Sequence, residues 1–341
     1  MNERLSLTKI RCGVVGLGPI GREIARQAWL HPDFEVLAAA DVHPSLVGSD
    51  LCRVLGEAGS SGVLVEDAIA GSAARSGLDV VFHATGSRLE QVAGQLEEIL
   101  GLGVNVISTC EQLVFPWLRH PSIAQGLDRA AIDHGCTLIA SGINPGFAMD
   151  VFPLVLASAT SRIASVSIER FTDIGTRRLP LQKKLGVGMS VAEFVEGERR
   201  GELGHVGLDE SLYLIADALG WALEAPTVKT TPIVADSIPS APHDHIPVGA
   251  VIGASHIAAG RTAAGKRIDM SLQMFVGARS SDSVRIEGVP DIQVRVEGGF
   301  GGDLCTSAVI LNLAPAVIAA RPGLLTPADL RALRNLPSGS M

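Results

Sequence analysis

The chain has 341 residues, enough for two domains or one large one with ample core, and 47% of them are hydrophobic against 19% charged. That balance excludes a disordered chain, and a net charge of −8 spread along the sequence argues against nucleic acid as a partner. The five cysteines are odd in number and scattered, with no Cys-x-x-Cys pair, so they read as small buried hydrophobes in a reducing cytoplasm.

Met1–Lys9 reads as a short lead-in without a signal-peptide core, which makes the cytoplasm the expected location. An apolar strand beginning at Arg11 then runs into Gly16-Leu17-Gly18-Pro19-Ile20-Gly21 and a helix to Leu30. In this Gly-x-Gly-x-x-Gly arrangement Gly16 makes the tight turn, Gly18 clears space for a pyrophosphate, and Gly21 lets helix and strand pack closely. The helix N-terminus offers unpaired N–H groups to the anion, and Pro19 suits its first turn. A second strand, Phe34 to Ala40, ends in Asp41, which lies 20 residues beyond Gly21. A carboxylate there accepts from the ribose 2′-hydroxyl of a dinucleotide and repels a 2′-phosphate, so NAD is favoured over NADP. The alternative for Asp41 is a cap on the turn at Pro44-Ser45. His43 and Arg53 are the cationic side chains nearest to hand for a phosphate.

Short apolar strands then alternate with helices: Asp79–Ala84, Arg88–Leu100, Val104–Ser108, Ser122–His134 and Thr137–Ala140. The pattern predicts a doubly wound parallel sheet covered on both faces, a Rossmann-type α/β domain over residues 1–148. Ligands in such a sheet lie beyond the carboxyl ends of its strands. Thr85 and Gly86 follow one strand and Asn144 follows another, within Ser141–Phe147, and these three join the glycines as candidate cofactor residues.

Glu111 stands out at the mouth of the Val104–Ser108 strand, followed by Leu113-Val114-Phe115-Pro116-Trp117. A hydrophobic run there excludes water, raises a carboxyl pKa and suits acid–base work. The competing reading is an acid that begins the next helix. Cys110 has no histidine near it in sequence, and a small buried thiol is the better assignment than a nucleophile.

After about Asp150 the pattern changes to apolar–polar alternation in Arg162–Ile174, Val248–Ala258, Arg267–Gly277, Asp282–Glu287 and Asp291–Glu297. It predicts an inserted α+β domain over residues 149–301, built on an antiparallel sheet whose one face is marked by Val166, Ile168 and Phe171. A helix over Leu208–Leu219 interrupts it. Residues 302–341 return to the first domain through a buried helix, Leu304–Ala320, and a second over Pro327–Leu336. The first of these is too short for a bilayer span and contains Pro315. In the inserted domain, Arg177-Arg178 and Lys183-Lys184 form either an anion-meeting loop or a solvated one. His205 lies between glycines before a helix. His243-Asp244-His245 is crowded but reads as a solvated loop, and no metal is expected.

Several segments taken together resemble a known family. Ser108-Thr109-Cys110-Glu111, Gly142–Phe147, Gly204–Ser211 and Pro322-Gly323-Leu324-Leu325-Thr326 are similar to the 2,4-diaminopentanoate dehydrogenase and native amine dehydrogenase group, related in fold to dihydrodipicolinate reductase. The resemblance spans nearly the whole chain. It implies NAD(H), or NADP(H), coupled to reversible oxidative deamination of a small amine to a ketone or aldehyde and ammonia, in a homodimer. It places the catalytic acid on Glu111 and pocket positions on Phe147, Phe171, Arg177 and His205. The His-His-x-x-Lys-x-Asp and Pro-Ser-Gly-Thr-like segments of true dihydrodipicolinate reductases are absent. An imine or carbonyl reductase of that type and a non-catalytic NAD-binding protein are the alternatives. Arg177 or Arg178 would clamp a substrate carboxylate, whereas Phe147 and Phe171 would line a pocket for an amine without one, the form favoured here.

Overall fold

The structure is a computed structural model and describes residues 9–71, 77–240 and 242–330. The chain divides into two compact units, one of Met1–Phe147 with Gly301–Met341, the other of Ala148–Phe300.

The first unit is built on a seven-stranded sheet in the order β13-β6-β5-β4-β1-β2-β3, every pairing parallel. Its strands are β1 (Ile10–Val15), β2 (Phe34–Ala40), β3 (Val65–Glu66), β4 (Val80–His83), β5 (Asn105–Ser108), β6 (Thr137–Ala140) and β13 (Gly323–Leu325). Central β4 and β6 are buried at every position, as a parallel sheet covered on both faces requires. Helices α1 (Pro19–Leu30), α2 (Leu51–Leu55), α3 (Leu89–Leu100), α4 (Pro121–Asp133) and α9 (Gly302–Ile318) belong to this unit. Ile24, Ala25 and Ala28 of α1 meet Ile310, Leu311, Ala314 and Val317 of α9 in the core. The return helix is therefore buried along one face only, since Leu304 at its start is exposed. Most of the predicted Pro327–Leu336 helix lies outside the described residues. Among the described residues no helix is long and apolar enough to cross a membrane.

The second unit carries a six-stranded sheet in the order β12-β11-β7-β10-β9-β8. These are β7 (Ile163–Asp173), β8 (Glu224–Val234), β9 (Val251–Arg261), β10 (Arg267–Phe275), β11 (Ser281–Gly288) and β12 (Ile292–Glu297). The sheet is mixed and not purely antiparallel, because β7 and β10 pair in parallel. Edge strand β8 was missed in the sequence because little of it is buried and its apolar residues do not alternate. Helices α5 (Val151–Ala157), α6 (Leu179–Lys184), α7 (Val191–Arg199) and α8 (Leu208–Ala218) complete the unit.

One expectation is corrected. Val166 and Ile168 do mark the buried face of β7, but the next residue on it is Arg170, not Phe171. Side chains alternate strictly along a strand, so Phe171 falls on the opposite face, half-buried. A charged residue at the buried position hid the period.

Candidate functional site

The first site is a cleft of about 460 Å³ at the carboxyl ends of β1, β2 and β4, where Val15, Ala40 and Ala84 reach its wall. Gly16 turns the chain there with φ +86°, and a Cβ on it would stand 2.5 Å from the Ala84 carbonyl oxygen. A Cβ on Gly21 would approach the Gly16 carbonyl oxygen to 1.7 Å, so helix and strand touch there. A Cβ on Gly18 would meet nothing within 4 Å, and that open space lies at the N-terminus of α1. The three glycines thus occupy three different surroundings. Pro19 and Ile20 open the helix behind the cleft.

Asp41 lines the same cleft and is oriented from two sides. Its Oδ2 accepts the Leu17 N–H at 2.6 Å and its Oδ1 accepts the His43 N–H at 2.8 Å. Each oxygen keeps a second lone pair for a ligand. Among the described residues no lysine, arginine or histidine lines the cleft, whereas Asp41, Asp67 and Glu98 do. His43 hydrogen-bonds the Ser45 hydroxyl at 2.8 Å. Thr85 also lines the cleft. Gly86 follows it in the chain, and half-buried Asn144 follows β6 without being a lining residue. Asp67–Ala70 after β3 and Gln95 and Glu98 of α3 were missed. The signal for α3 was present, since Leu89, Val92, Leu96 and Ile99 bury one face and leave Gln95 and Glu98 off it.

The cleft fits a dinucleotide: a bare-backbone turn, open space at a helix N-terminus, and an oriented carboxylate at the end of β2.

Glu111 begins a 3-10 turn, Glu111–Leu113, just past β5 and two strands from β1 on the same sheet edge. Both readings of the residue therefore meet in one place, since it starts a helical turn and also stands at the ligand edge. Its surroundings are held firmly. The Thr109 N–H donates to the His83 carbonyl at 2.9 Å, the Gln112 N–H to the Ser87 carbonyl at 3.3 Å, and the Leu89 N–H to Gln112 Oε1 at 2.9 Å. Leu113 and Val114, which follow it in the chain, are fully buried. The Glu111 carboxylate is half-buried and takes no hydrogen bond or ion pair among the described residues. Cys110 is fully buried. Phe147, half-buried, ends the segment after β6.

In the second unit Arg177 sits in the turn after β7, and that turn is fixed. Gln182 Nε2 donates to the Arg177 carbonyl at 2.8 Å, His243 Nε2 to the Gly175 carbonyl at 2.8 Å, and Asp173 Oδ1 accepts the Gly175 N–H at 2.8 Å. Arg177, Arg178 and Lys184 are half-buried and Lys183 is exposed. His243 thus acts as a clamp on the turn. Among the described residues no three His, Cys, Asp or Glu side chains gather as a metal would need.

His205 stands edge-on to His256, with ring centroids 6.2 Å apart. His256 is buried on the helix-covered face of the sheet, where its Nδ1 pairs with the Thr230 hydroxyl at 3.0 Å. Burial, with the Lys184 charge adding to it, pushes the His256 pKa down to about 4. Phe171 is on the other face, so the structure does not bring Phe171 and His205 together.

The chain is similar to several known proteins. The model of the 2,4-diaminopentanoate dehydrogenase C-terminal domain matches residues 147–340. The 2,4-diaminopentanoate dehydrogenase of Acetoanaerobium sticklandii is 30% identical over 335 residues, covering 95% of this chain and 94% of that one. An amine dehydrogenase of Streptomyces virginiae is 29% identical over 182 residues, 52% of this chain and 49% of that one. Among solved structures, an amine dehydrogenase from Mycobacterium smegmatis superposes with a TM-score of 0.86 at 26% identity, over 97% of this chain and 99% of that one. A dihydrodipicolinate reductase from Paenisporosarcina superposes at 0.54 with 12% identity, over 94% of this chain and 99% of that one, and shares the fold alone. More than half of the chain matches the family model and nearly all of it aligns with a relative at 30% identity: the chain belongs to the 2,4-diaminopentanoate dehydrogenase family.

Proposed function

We propose that the protein is an NAD-dependent amine dehydrogenase, converting a small amine reversibly to a ketone or aldehyde and ammonia. The observation that carries the reading is the Glu111 carboxylate, uncommitted on a rigid turn at the ligand edge of the nucleotide-binding sheet. Gly16, Gly18 and the N-terminus of α1 would hold the pyrophosphate, and Asp41 the adenosine ribose. Three carboxylates in the cleft, with no cation among its described lining residues, support NAD over NADP. When bound, the nicotinamide supplies the acceptor or donor of hydride.

Glu111 handles the protons. Hydride leaves a carbon bearing nitrogen only when the nitrogen lone pair is free, so an ammonium must first give up a proton, which Glu111 takes. The carboxylate, its proton passed to solvent, then hydrogen-bonds the iminium N–H and orients its carbon. As water adds to that carbon Glu111 accepts the water proton, and collapse of the carbinolamine releases ammonia. In the reverse direction the same carboxylate holds ammonia against a carbonyl carbon. Phe147, in the same unit as Glu111, is our candidate for contact with the rest of the substrate. Phe171 is not retained beside His205, because it occupies the other face of the second sheet.

The test is NADH oxidation against a panel of ketones and aldehydes at alkaline pH, with and without ammonium. Consumption that requires ammonium is expected. Ammonium-independent consumption would indicate a carbonyl or imine reductase instead, and no consumption with tight NADH binding a non-catalytic protein.

A further inference from the structure

His83 ends β4 and is fully buried, yet no step of the reaction above uses it. Its ring is hydrogen-bonded through both nitrogens. Nδ1 lies 2.9 Å from Ser108 Oγ, and Nε2 lies 2.8 Å from Thr85 Oγ1 and 3.1 Å from Gln95 Oε1. Burial pushes its pKa down to about 4, so near neutrality the imidazole carries a single proton.

The partners decide where that proton sits. Gln95 Oε1 is a carbonyl oxygen that only accepts, and it already accepts the Thr85 hydroxyl at 2.7 Å. Nε2 therefore bears the hydrogen and shares it between Gln95 and Thr85. Nδ1 is left as a lone pair and accepts from the Ser108 hydroxyl. Ser108 Oγ in turn accepts the Cys110 N–H at 3.1 Å. Donors thus run one way, from Cys110 through Ser108 and His83 to Gln95, and every partner uses its proper valence. His83 and Ser108 face each other in register on adjacent strands, so backbone pairing holds the link at its centre.

The two ends of this relay matter. Thr85 and Gln95 line the nucleotide cleft, and Cys110 immediately precedes Glu111. We propose that His83 is a positioning residue whose fixed tautomer ties the nucleotide-cleft wall at Thr85 and Gln95 to the turn that carries Glu111. The inference rests on the reading of Glu111 as the acid–base group. The relay holds Glu111 in register with the bound dinucleotide, and a small displacement of a reacting group costs rate far more than binding.

The test measures kcat for reductive amination and, separately, the NADH dissociation constant by fluorescence titration. Ser108→Ala cuts the relay beside Glu111. It is expected to lower kcat between about tenfold and a hundredfold while NADH affinity changes less than about threefold. Ser108→Thr restores the hydroxyl and is expected to recover most of the lost turnover. Thr85→Val cuts the other end and is expected to weaken NADH binding and lower kcat together. Should Ser108→Ala fold poorly, His83→Gln serves, since its amide can replace the Nε2 donor but not the Nδ1 lone pair, and the same loss of kcat with NADH affinity kept is expected. A relay that is merely structural lowers kcat and NADH affinity alike and gives no rescue by threonine, and that result overturns the proposal. So does a kcat within twofold of the parent in Ser108→Ala. A Glu111→Gln control separates the two claims. If it keeps turnover, the acid–base reading fails and the relay with it; if it loses turnover while Ser108→Ala does not, the relay alone fails.

Discussion

Asp41 and Leu17 are 24 residues apart in the chain, yet Asp41 Oδ2 accepts the Leu17 backbone N–H at 2.6 Å. The carboxylate therefore pins the glycine turn, and in our proposal it also receives the ribose. Loss of such a charge-assisted bond costs roughly 1.5–3 kcal/mol. Asp41→Ala is expected to weaken NAD binding at least about tenfold. It should also shrink the preference for NAD over NADP, because the repulsion of a 2′-phosphate is gone. Fluorescence titration with both reduced cofactors checks this, and unchanged NADH affinity would count against the ribose role.

The fingerprint glycines are expected to separate by mechanism. Gly18→Ala adds a methyl to open space, so the fold should keep its thermal midpoint while dinucleotide affinity falls. In Gly21→Ala the methyl would stand 1.7 Å from the Gly16 carbonyl oxygen, so helix and strand must part and stability should fall. Thermal unfolding of the two variants beside NADH titration of Gly18→Ala decides it.

Arg170 and Asp282 face each other in register on the buried face of the second sheet, both nearly fully buried, with Nη1 to Oδ1 at 2.5 Å. Arg170 also donates to the Phe300 carbonyl, and Asp282 Oδ2 accepts the Phe300 N–H. Removing one partner leaves a charge buried without its counterion, which costs about 3–5 kcal/mol. Arg170→Met is expected to destabilise the protein by that order in urea denaturation. Arg170→Met with Asp282→Leu should recover much of the loss, since an apolar pair tolerates the site. Equal instability of single and double variants would contradict this.

Much of the first unit was legible in the sequence because its rules are local. The strand–glycine–helix spacing, Asp41 and the short apolar strands each follow from a few neighbouring residues. Glu111 was legible as an acid at a strand end. The second unit was harder. Arg170 occupies a buried position because Asp282 comes to it from 112 residues away, and the pattern of β7 reads wrongly without that partner. The parallel pairing of β7 with β10 is likewise a matter of long-range topology. Helix α7 carried a readable signal that was passed over. Ser190 and Glu193 form a reciprocal capping box, a spacing visible in the sequence. The relay through His83 was beyond reach, because nothing local distinguishes a histidine in an apolar strand that is bonded at both nitrogens.

Stability is expected to depend on pH through two buried histidines. His83 and His256 have folded pKa values near 4, against an ordinary value of 6.5. Below pH 6.5 the unfolded chain takes up protons on these groups that the folded chain refuses, so stability falls with pH. Their contribution is intact above about pH 6.5 and lost progressively toward pH 4, by roughly 3 kcal/mol for each histidine. Urea denaturation at steps from pH 7.5 to 4.5 should show this slope, and His256→Gln should reduce it. An unchanged slope in that variant would show that His256 accepts its proton freely in the folded state.

In our proposal Glu111 moves the protons of an amine dehydrogenation. Glu111→Gln keeps the shape of the side chain and removes its ability to accept a proton. General acid–base groups of this kind contribute about 10²–10⁴-fold. The most direct measurement is kcat for ammonium-dependent NADH oxidation with the best ketone of the panel, alongside the NADH dissociation constant. A fall in kcat of at least about a hundredfold is expected, with NADH affinity within about threefold of the parent. Full turnover by Glu111→Gln with its NADH affinity intact would contradict the assignment.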